Sequence, residues 1–221
     1  MDNSNYNKEK SEAYYTSLRI RMVDYQLTNR GIKDELVLKA MRTVPRHKFI
    51  PVEHREQAYH DGPQPIGKNQ TISQPFIVAS MTEHLQIDGT CKVLEVGTGC
   101  GYQTAVLAEI TNSVLSIERI PDLLKKANNI LFELGYRTVK TQLGDGTKGI
   151  PEHAPYDGII VTAASSNIPD ALIEQLAMGG RMIIPVEESP TTQILLKIIK
   201  TKQGLTIERL YEVRFVPLIG D

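Results

Sequence analysis

Tryptophan is absent from this chain of 221 residues, phenylalanine occurs only four times and cysteine twice. So few large aromatics remove the stacking platforms on which single-strand nucleic-acid binders lay their bases. An excess of charge of either sign is lacking too. Lys+Arg number 25 against 26 Asp+Glu, a net charge of −1. Neither nucleic-acid binding by charge nor a polybasic membrane anchor is expected. No apolar run approaches the roughly 18 residues of a membrane span. The opening MDNSNYNKEKSEAYY is polar and has no apolar signal region. Cys91 and Cys100 do not form a C-x-x-C pair, which points to reduced thiols and a cytoplasmic location. His47, His54 and His60 come without an H-E-x-x-H or paired-cysteine pattern, so no metal site is expected.

What is present is ordinary globular composition, 41% hydrophobic and 23% charged. A chain this long buries enough surface to fold without a metal or a disulfide. We expect one domain over 1–221, in which 1–75 packs on a core formed by 76–221. Residues 1–10 are expected to fray. Leu18, Met22 and Tyr25 share one helical face, closed by Gly31; Asp34 caps a second helix carrying Val37, Ala40, Met41 and Val44 and stopped by Pro45. From Arg46 to Pro75 the sequence is irregular and rich in Pro, Gly and polar residues. A loop of that length inside a compact domain is usually functional.

Beyond Ser73, short apolar strands alternate with helical segments. Strands are expected at 92–96, 114–118, 138–143, 158–162 and 181–186, and helices around 76–85, 102–110, 121–134 and 169–177. This alternation predicts parallel βαβ units in a doubly wound α/β sheet with helices on both faces. Residues 193–199 and 206–218, joined by a Lys-Gln-Gly turn, predict an antiparallel C-terminal hairpin.

The first strand ends in VLEVGTGCGYQ. Glycines at a strand–helix turn let backbone approach a ligand closely. A dinucleotide fingerprint needs G-x-G-x-x-G, but Tyr102 stands where its last glycine belongs. The pattern is instead E-x-G-x-G-x-G over Glu95, Gly97, Gly99 and Gly101, with Glu118 closing the next strand. Glu118 can accept hydrogen bonds from both hydroxyls of an unphosphorylated ribose, or be an ordinary strand-end carboxylate. Without a pyrophosphate to hold, the ligand expected is S-adenosylmethionine. Gly144-Asp145-Gly146 ends a further strand; it reads as a plain turn, or as one in which Asp145 accepts from the adenine amino group. Cys100, at a helix N-terminus, is expected to favour the thiolate. The small residues after Thr162, Ala163 and Ala164, leave room for donor and acceptor to meet.

The run AYHDGPQPIGKNQTISQPFIVASMTEHL, with VPRHKFIP before it and VLEVGTGCGYQTAVLA after it, resembles protein-L-isoaspartate O-methyltransferases. PYDGIIVTAA, GGRMIIP and VRFVPL resemble the remainder of that family's pattern, so the likeness covers about residues 18–219. Gln64, Asn69 and Cys100 depart from it, where leucine, glycine and serine are usual. The resemblance implies a Rossmann-like class I S-adenosylmethionine-dependent methyltransferase and a protein-L-isoaspartate(D-aspartate) O-methyltransferase activity. The methyl group goes to the free α-carboxylate of an isoaspartyl residue, and the ester then closes to a succinimide, which begins repair. It implies damaged proteins and peptides as partners, no nucleic acid or membrane, and a monomer.

By the same resemblance Ser73 is the active-site serine, placing the carboxylate or the cofactor without acting as a nucleophile; alternatively it only caps the next helix. Cofactor contacts are implied for Thr71, Ile72, Glu95, Gly97, Thr98, Gly99, Gly101, Glu118, Gly144, Asp145, Gly146 and Thr162. Substrate contacts are implied for Ile66, Thr71, Ser73, Arg214 and Val216. A related enzyme devoted to one peptide and a cofactor-binding module without catalysis are the alternatives. A nucleic-acid methyltransferase is disfavoured by the charge and by the lack of an acceptor motif.

Overall fold

The computed structural model describes residues 10–220, so the expectation for residues 1–10 lies almost wholly outside the described residues. Helix α1 (Glu12–Arg21) runs into a π-helical turn at Met22–Leu27, where the Thr28 N–H bonds the Val23 carbonyl. That wider turn adds a residue to the spiral and rotates the chain beyond it. Val23 and Leu27 therefore join Met22 in the core, while Tyr25, expected on the buried face, is 67% exposed. Asp34 caps α2 (Glu35–Thr43) by accepting from the N–H groups of Leu36 and Val37. The expected helix face of Val37, Ala40 and Met41, with Val44, is buried.

The segment read as irregular is more ordered than expected. It holds two short 3-10 helices, Arg46–Phe49 and Val52–Gln57, and a hairpin of β1 (Gln64–Gly67) and β2 (Gln70–Ile72). The two turn residues, Lys68 and Asn69, both have positive φ. A two-residue hairpin turn requires this, and Asn tolerates it nearly as well as Gly. That explains how Asn69 serves at a position where the resemblance has glycine.

Helix α3 (Pro75–Leu85) leads to β3 (Lys92–Val96), α4 (Tyr102–Ala108), β4 (Ser113–Glu118), α5 (Pro121–Glu133), β5 (Lys140–Leu143), β6 (Tyr156–Val161), α6 (Asp170–Gln175), β7 (Leu176–Ser189), β8 (Thr192–Thr201) and β9 (Gly204–Val213). The sheet order is β5-β4-β3-β6-β7-β8-β9. Pairs from β5 across to β7 are parallel; β8 is antiparallel to both its neighbours. The chain builds outward from β3 through β4 to β5, then returns to the other side of β3 with β6. The crevice at that reversal, beyond the carboxyl ends of the strands, is where such sheets bind ligands.

Strand alternation sorts the core between the two faces. Val93, Val114 and Ile160 pack with α1–α5, and Leu94, Val96, Ile117 and Ile159 pack towards α6. The first cluster joins the N-terminal helices to the sheet without a break. Among the described residues no helix is long and apolar enough to cross a membrane.

Candidate active site

Sheet register brings the site together. Val96 of β3 pairs with Ile117 of β4 and with Val161 of β6. The next residues along these strands, Gly97, Glu118 and Thr162, therefore emerge side by side. Thr162 closes the crevice by donating its hydroxyl to the Gly97 carbonyl at 2.7 Å. Gly97 has φ +98°, and a Cβ there would lie 2.4 Å from the Thr162 hydroxyl oxygen. Only glycine serves at that point.

Glu118 is 6% exposed. Its carboxylate accepts from the Gly99 N–H at 2.8 Å and the Ile120 N–H at 2.9 Å. A carboxylate has about four acceptor positions, so two remain for a vicinal diol. A cavity opens here, lined by Gly97, Thr98, Gly99, Glu118, Gly146 and Thr162 from the sheet edge. Ile66, Thr71 and Ile72 of the hairpin and Ser73 just beyond it roof the cavity, and a Cβ on Gly99 would touch the Ile66 side chain at 3.5 Å. The close backbone approach that Gly97 and Gly99 allow, the acceptors left on Glu118 and the apolar walls of Ile66, Ile117 and Ile120 suit S-adenosylmethionine, a ribose carrying one apolar ring and one amino-acid arm.

Four expected contacts, Glu95, Gly101, Gly144 and Asp145, do not line the cavity. The period of two sends Glu95 to the face of Val93, beneath α4, and not into the cavity. Its Oε2 accepts from the Thr104 and Ser116 hydroxyls at 2.5 Å, bracing the turn from behind. Burial pushes its carboxyl up to about 8. Gly144 and Asp145 stand at the end of β5 but do not line the cavity; Gly146 does. Asp145 instead caps the turn after it, accepting from the Thr147 N–H and hydroxyl at 2.9 and 2.7 Å, and pairs with Lys148. Cys100 is buried, and burial pushes its thiol up to about 11. This corrects the expected thiolate: desolvation outweighs the helix N-terminus. Gly101 supplies the left-handed N-cap of α4, beside the cavity and outside its lining.

Ser73 is not a helix cap. The N-cap of α3 is Gln74, and no side chain bonds the free N–H groups there. Ser73 lines both this cavity and a neighbouring groove containing Gln74, Ile77, Glu212, Arg214 and Phe215. Thr71, Ser73, Thr162 and Val216 belong to both spaces, so they form the junction between them. The groove's far wall is pinned by side chain to backbone. Gln193 accepts from the Phe215 N–H at 2.6 Å and donates to its carbonyl at 3.1 Å, and the Val216 carbonyl accepts from the Ala164 N–H at 2.8 Å.

Sequence reasoning missed Arg119 and Ile120 on the loop after Glu118, and Pro217, Leu218 and Ile219 at the C-terminal end, all lining the cavity. The first pair could have been found as neighbours of the strand-end acid; nothing local marks the last three. His47 is buried, stacked on Tyr15 at 3.9 Å and 2.9 Å from the Tyr59 hydroxyl.

A glycine-turned crevice, an acidic residue ending the adjacent strand and a seven-stranded sheet with antiparallel C-terminal strands together make the class I S-adenosylmethionine-dependent methyltransferase fold. Within that class, the chain belongs to the protein-L-isoaspartate(D-aspartate) O-methyltransferase family, whose model matches residues 19–221. It is 51% identical over 200 residues to a protein-L-isoaspartate O-methyltransferase of Gloeobacter violaceus, covering 90% of this chain and 98% of that one. It is 53% identical over 193 residues to the Ignicoccus hospitalis enzyme of that name, covering 86% and 92%. A Plasmodium falciparum beta-aspartate methyltransferase structure in complex with S-adenosyl-L-homocysteine superposes with a TM-score of 0.80 at 28% identity, covering 92% of this chain and 99% of that one.

Proposed function

We propose that the chain transfers a methyl group from S-adenosylmethionine to the free α-carboxylate of L-isoaspartyl residues in damaged proteins and peptides. The observation that carries this is the junction at Thr71, Ser73, Thr162 and Val216, where the cofactor cavity meets a groove lined by Arg214–Val216.

The bound cofactor supplies an electrophilic methyl group on a sulfonium that is already a good leaving group. A carboxylate with a pKa near 4 is ionised at neutral pH and needs no general base. The chain's own task is therefore placement and exclusion of water. Glu118 would hold the ribose where the Gly97–Gly99 backbone lets it come close, and Ile66, Thr71 and Ile72 would cover it. Arg214 and Val216 line the groove where the peptide backbone would run. Ser73, with its hydroxyl at the junction, donates to the substrate carboxylate and fixes its line of approach. The ester then cyclises to a succinimide without further help. The same reading takes residues 1–221 as one methyltransferase domain, acting as a cytoplasmic monomer on protein and peptide substrates.

The test uses labelled S-adenosylmethionine and matched peptides carrying L-isoaspartate or L-aspartate at one site. Base-labile label in the isoaspartyl peptide alone is the expected result. Label in neither peptide, or equally in both, contradicts the proposal.

A further inference from the structure

Arg46 is completely buried, among the largest fully buried side chains of the protein. No carboxylate among the described residues faces it; its polar surroundings are Tyr102, Cys100 and Tyr59, and burial pulls its pKa down. Its guanidinium lies 4.8 Å from the Tyr102 ring centre. Nε donates to the Ala58 carbonyl at 2.7 Å and Nη2 to the Ser73 carbonyl at 2.8 Å, while Nη1 has no partner among the described residues.

A buried cation without an anion is expensive, and an apolar side chain of similar volume would fill the space more favourably. What the guanidinium does here that an apolar chain cannot is hold two distant carbonyls in one fixed fork. Both belong to segments without regular structure. Ala58 comes directly after the second 3-10 helix, and Ser73 lies between β2 and α3.

The neighbours of Ser73 show why such a pin is needed. Ile72 is anchored in the core and Pro75 is buried at the first turn of α3. Only Ser73 and Gln74 can pivot between them, and Gln74 is tethered by its own side chain, which donates to Asp61 Oδ1 at 2.7 Å. The α3 N-terminus has no side-chain cap to stiffen it. Rotation about the Ser73 backbone would swing its hydroxyl along the junction, and the Arg46 bond to the Ser73 carbonyl opposes that rotation.

We propose that Arg46 is a positioning residue for methyl transfer: it fixes the Ser73 carbonyl from within the core and thereby aims the Ser73 hydroxyl at the substrate carboxylate. This rests on the proposed role of Ser73 in placing that carboxylate. Misplacement of a reacting group by about an ångström is worth about a hundredfold in rate. Arg46→Met should therefore lower kcat on an isoaspartyl peptide by about tenfold to a hundredfold. Arg46→Lys, which keeps a donor for the Ser73 carbonyl, should recover part of that loss.

Ser73→Ala, Arg46→Lys, Arg46→Met and the two Arg46 changes in the Ser73→Ala background separate the possibilities. We expect the affinity for S-adenosylhomocysteine to stay within about threefold throughout, as the carbonyl bonds of Arg46 go to Ala58 and Ser73 and its contact with Tyr102 at the cavity wall is one of packing, which Met and Lys largely keep. In the Ser73→Ala background either Arg46 change should cost almost nothing more, since residues acting as one unit are non-additive. Arg46 variants whose melting temperature falls while kcat per folded enzyme is unchanged overturn the proposal. So do losses that multiply with that of Ser73→Ala. A Ser73→Ala enzyme with unaltered kcat overturns the assignment of Ser73 itself, and is recognised without reference to Arg46.

Discussion

On the cofactor side of the cavity, Gly97, Glu118 and Thr162 each stand at the end of a parallel strand, and the register of β3, β4 and β6 sets them side by side. On the substrate side, Ser73 and Val216 come from segments outside the regular elements. They are held by long-range bonds from side chain to backbone, Arg46 to Ser73 and Gln193 to Phe215. The cofactor side is rigid because the sheet is rigid, and a new side chain there meets strand-end structure. The substrate side depends on a few single contacts. Damage to the first should therefore appear as lost cofactor affinity, and damage to the second as lost turnover with the cofactor still bound.

The largest effect is expected from Gly97→Ala. The residue combines a positive φ with a Cβ position 2.4 Å from Thr162 Oγ1, so turn and strand end must separate. We expect a loss of affinity for S-adenosylhomocysteine of about a hundredfold by calorimetry, from backbone strain and the displaced turn together. Retained affinity would break the comparison on its rigid side. Ser73→Ala is its counterpart: kcat should fall by about tenfold to a hundredfold with little change in cofactor affinity. Equal loss of both would move Ser73 to the cofactor side.

Glu118→Gln sharpens the same division. Its carboxylate serves two backbone N–H groups and the expected ribose hydroxyls. The amide keeps one acceptor oxygen and turns the other into a donor, so one of the two backbone N–H groups loses its partner, and cofactor affinity should fall about tenfold. Turnover at saturating cofactor should barely change, which steady-state kinetics at two cofactor concentrations can check.

The smallest effect concerns Glu95, the brace behind the turn. Its pKa stands at about 8 in the folded protein against 4.5 as the ordinary value. Between those values the folded state holds a proton that the unfolded chain has released. Stability is thus lost progressively as pH rises from about 4.5 to about 8. Glu95→Gln removes that titration, so its melting temperature should gain on the parent's by a few degrees across this window, the gap levelling off above it. A gap independent of pH would mean that Glu95 is ionised in the folded protein.

The two sides differ equally in how far they can be read from sequence. The strand Lys92–Val96, the glycine turn and Glu118 are legible because local periodicity sets the strands and parallel pairing aligns their ends. The C-terminal antiparallel strands are legible through their Lys-Gln-Gly turn. Tyr25 misleads because a π-helical turn is a backbone choice without a residue signature, and it shifts every later position. The hairpin at Gln64–Ile72 is hidden because its turn uses Lys68 and Asn69 in place of the usual glycine signal. Glu95 illustrates a further limit. Its type and position fit a cofactor contact, but strand alternation aims it at Thr104 and Ser116. The tail over the cavity, Pro217–Ile219, is set by tertiary pairing with Ala164, which no local pattern announces.

The most direct measurement is a crystal structure of the protein with S-adenosylhomocysteine and an L-isoaspartyl peptide. We expect the peptide to run beside Arg214–Val216 with its α-carboxylate at the junction, within hydrogen-bond distance of the Ser73 hydroxyl and facing the cofactor sulfur. A carboxylate bound away from Ser73, or a peptide lying outside the groove, would contradict the division of the cavity into a cofactor side and a substrate side that meet there.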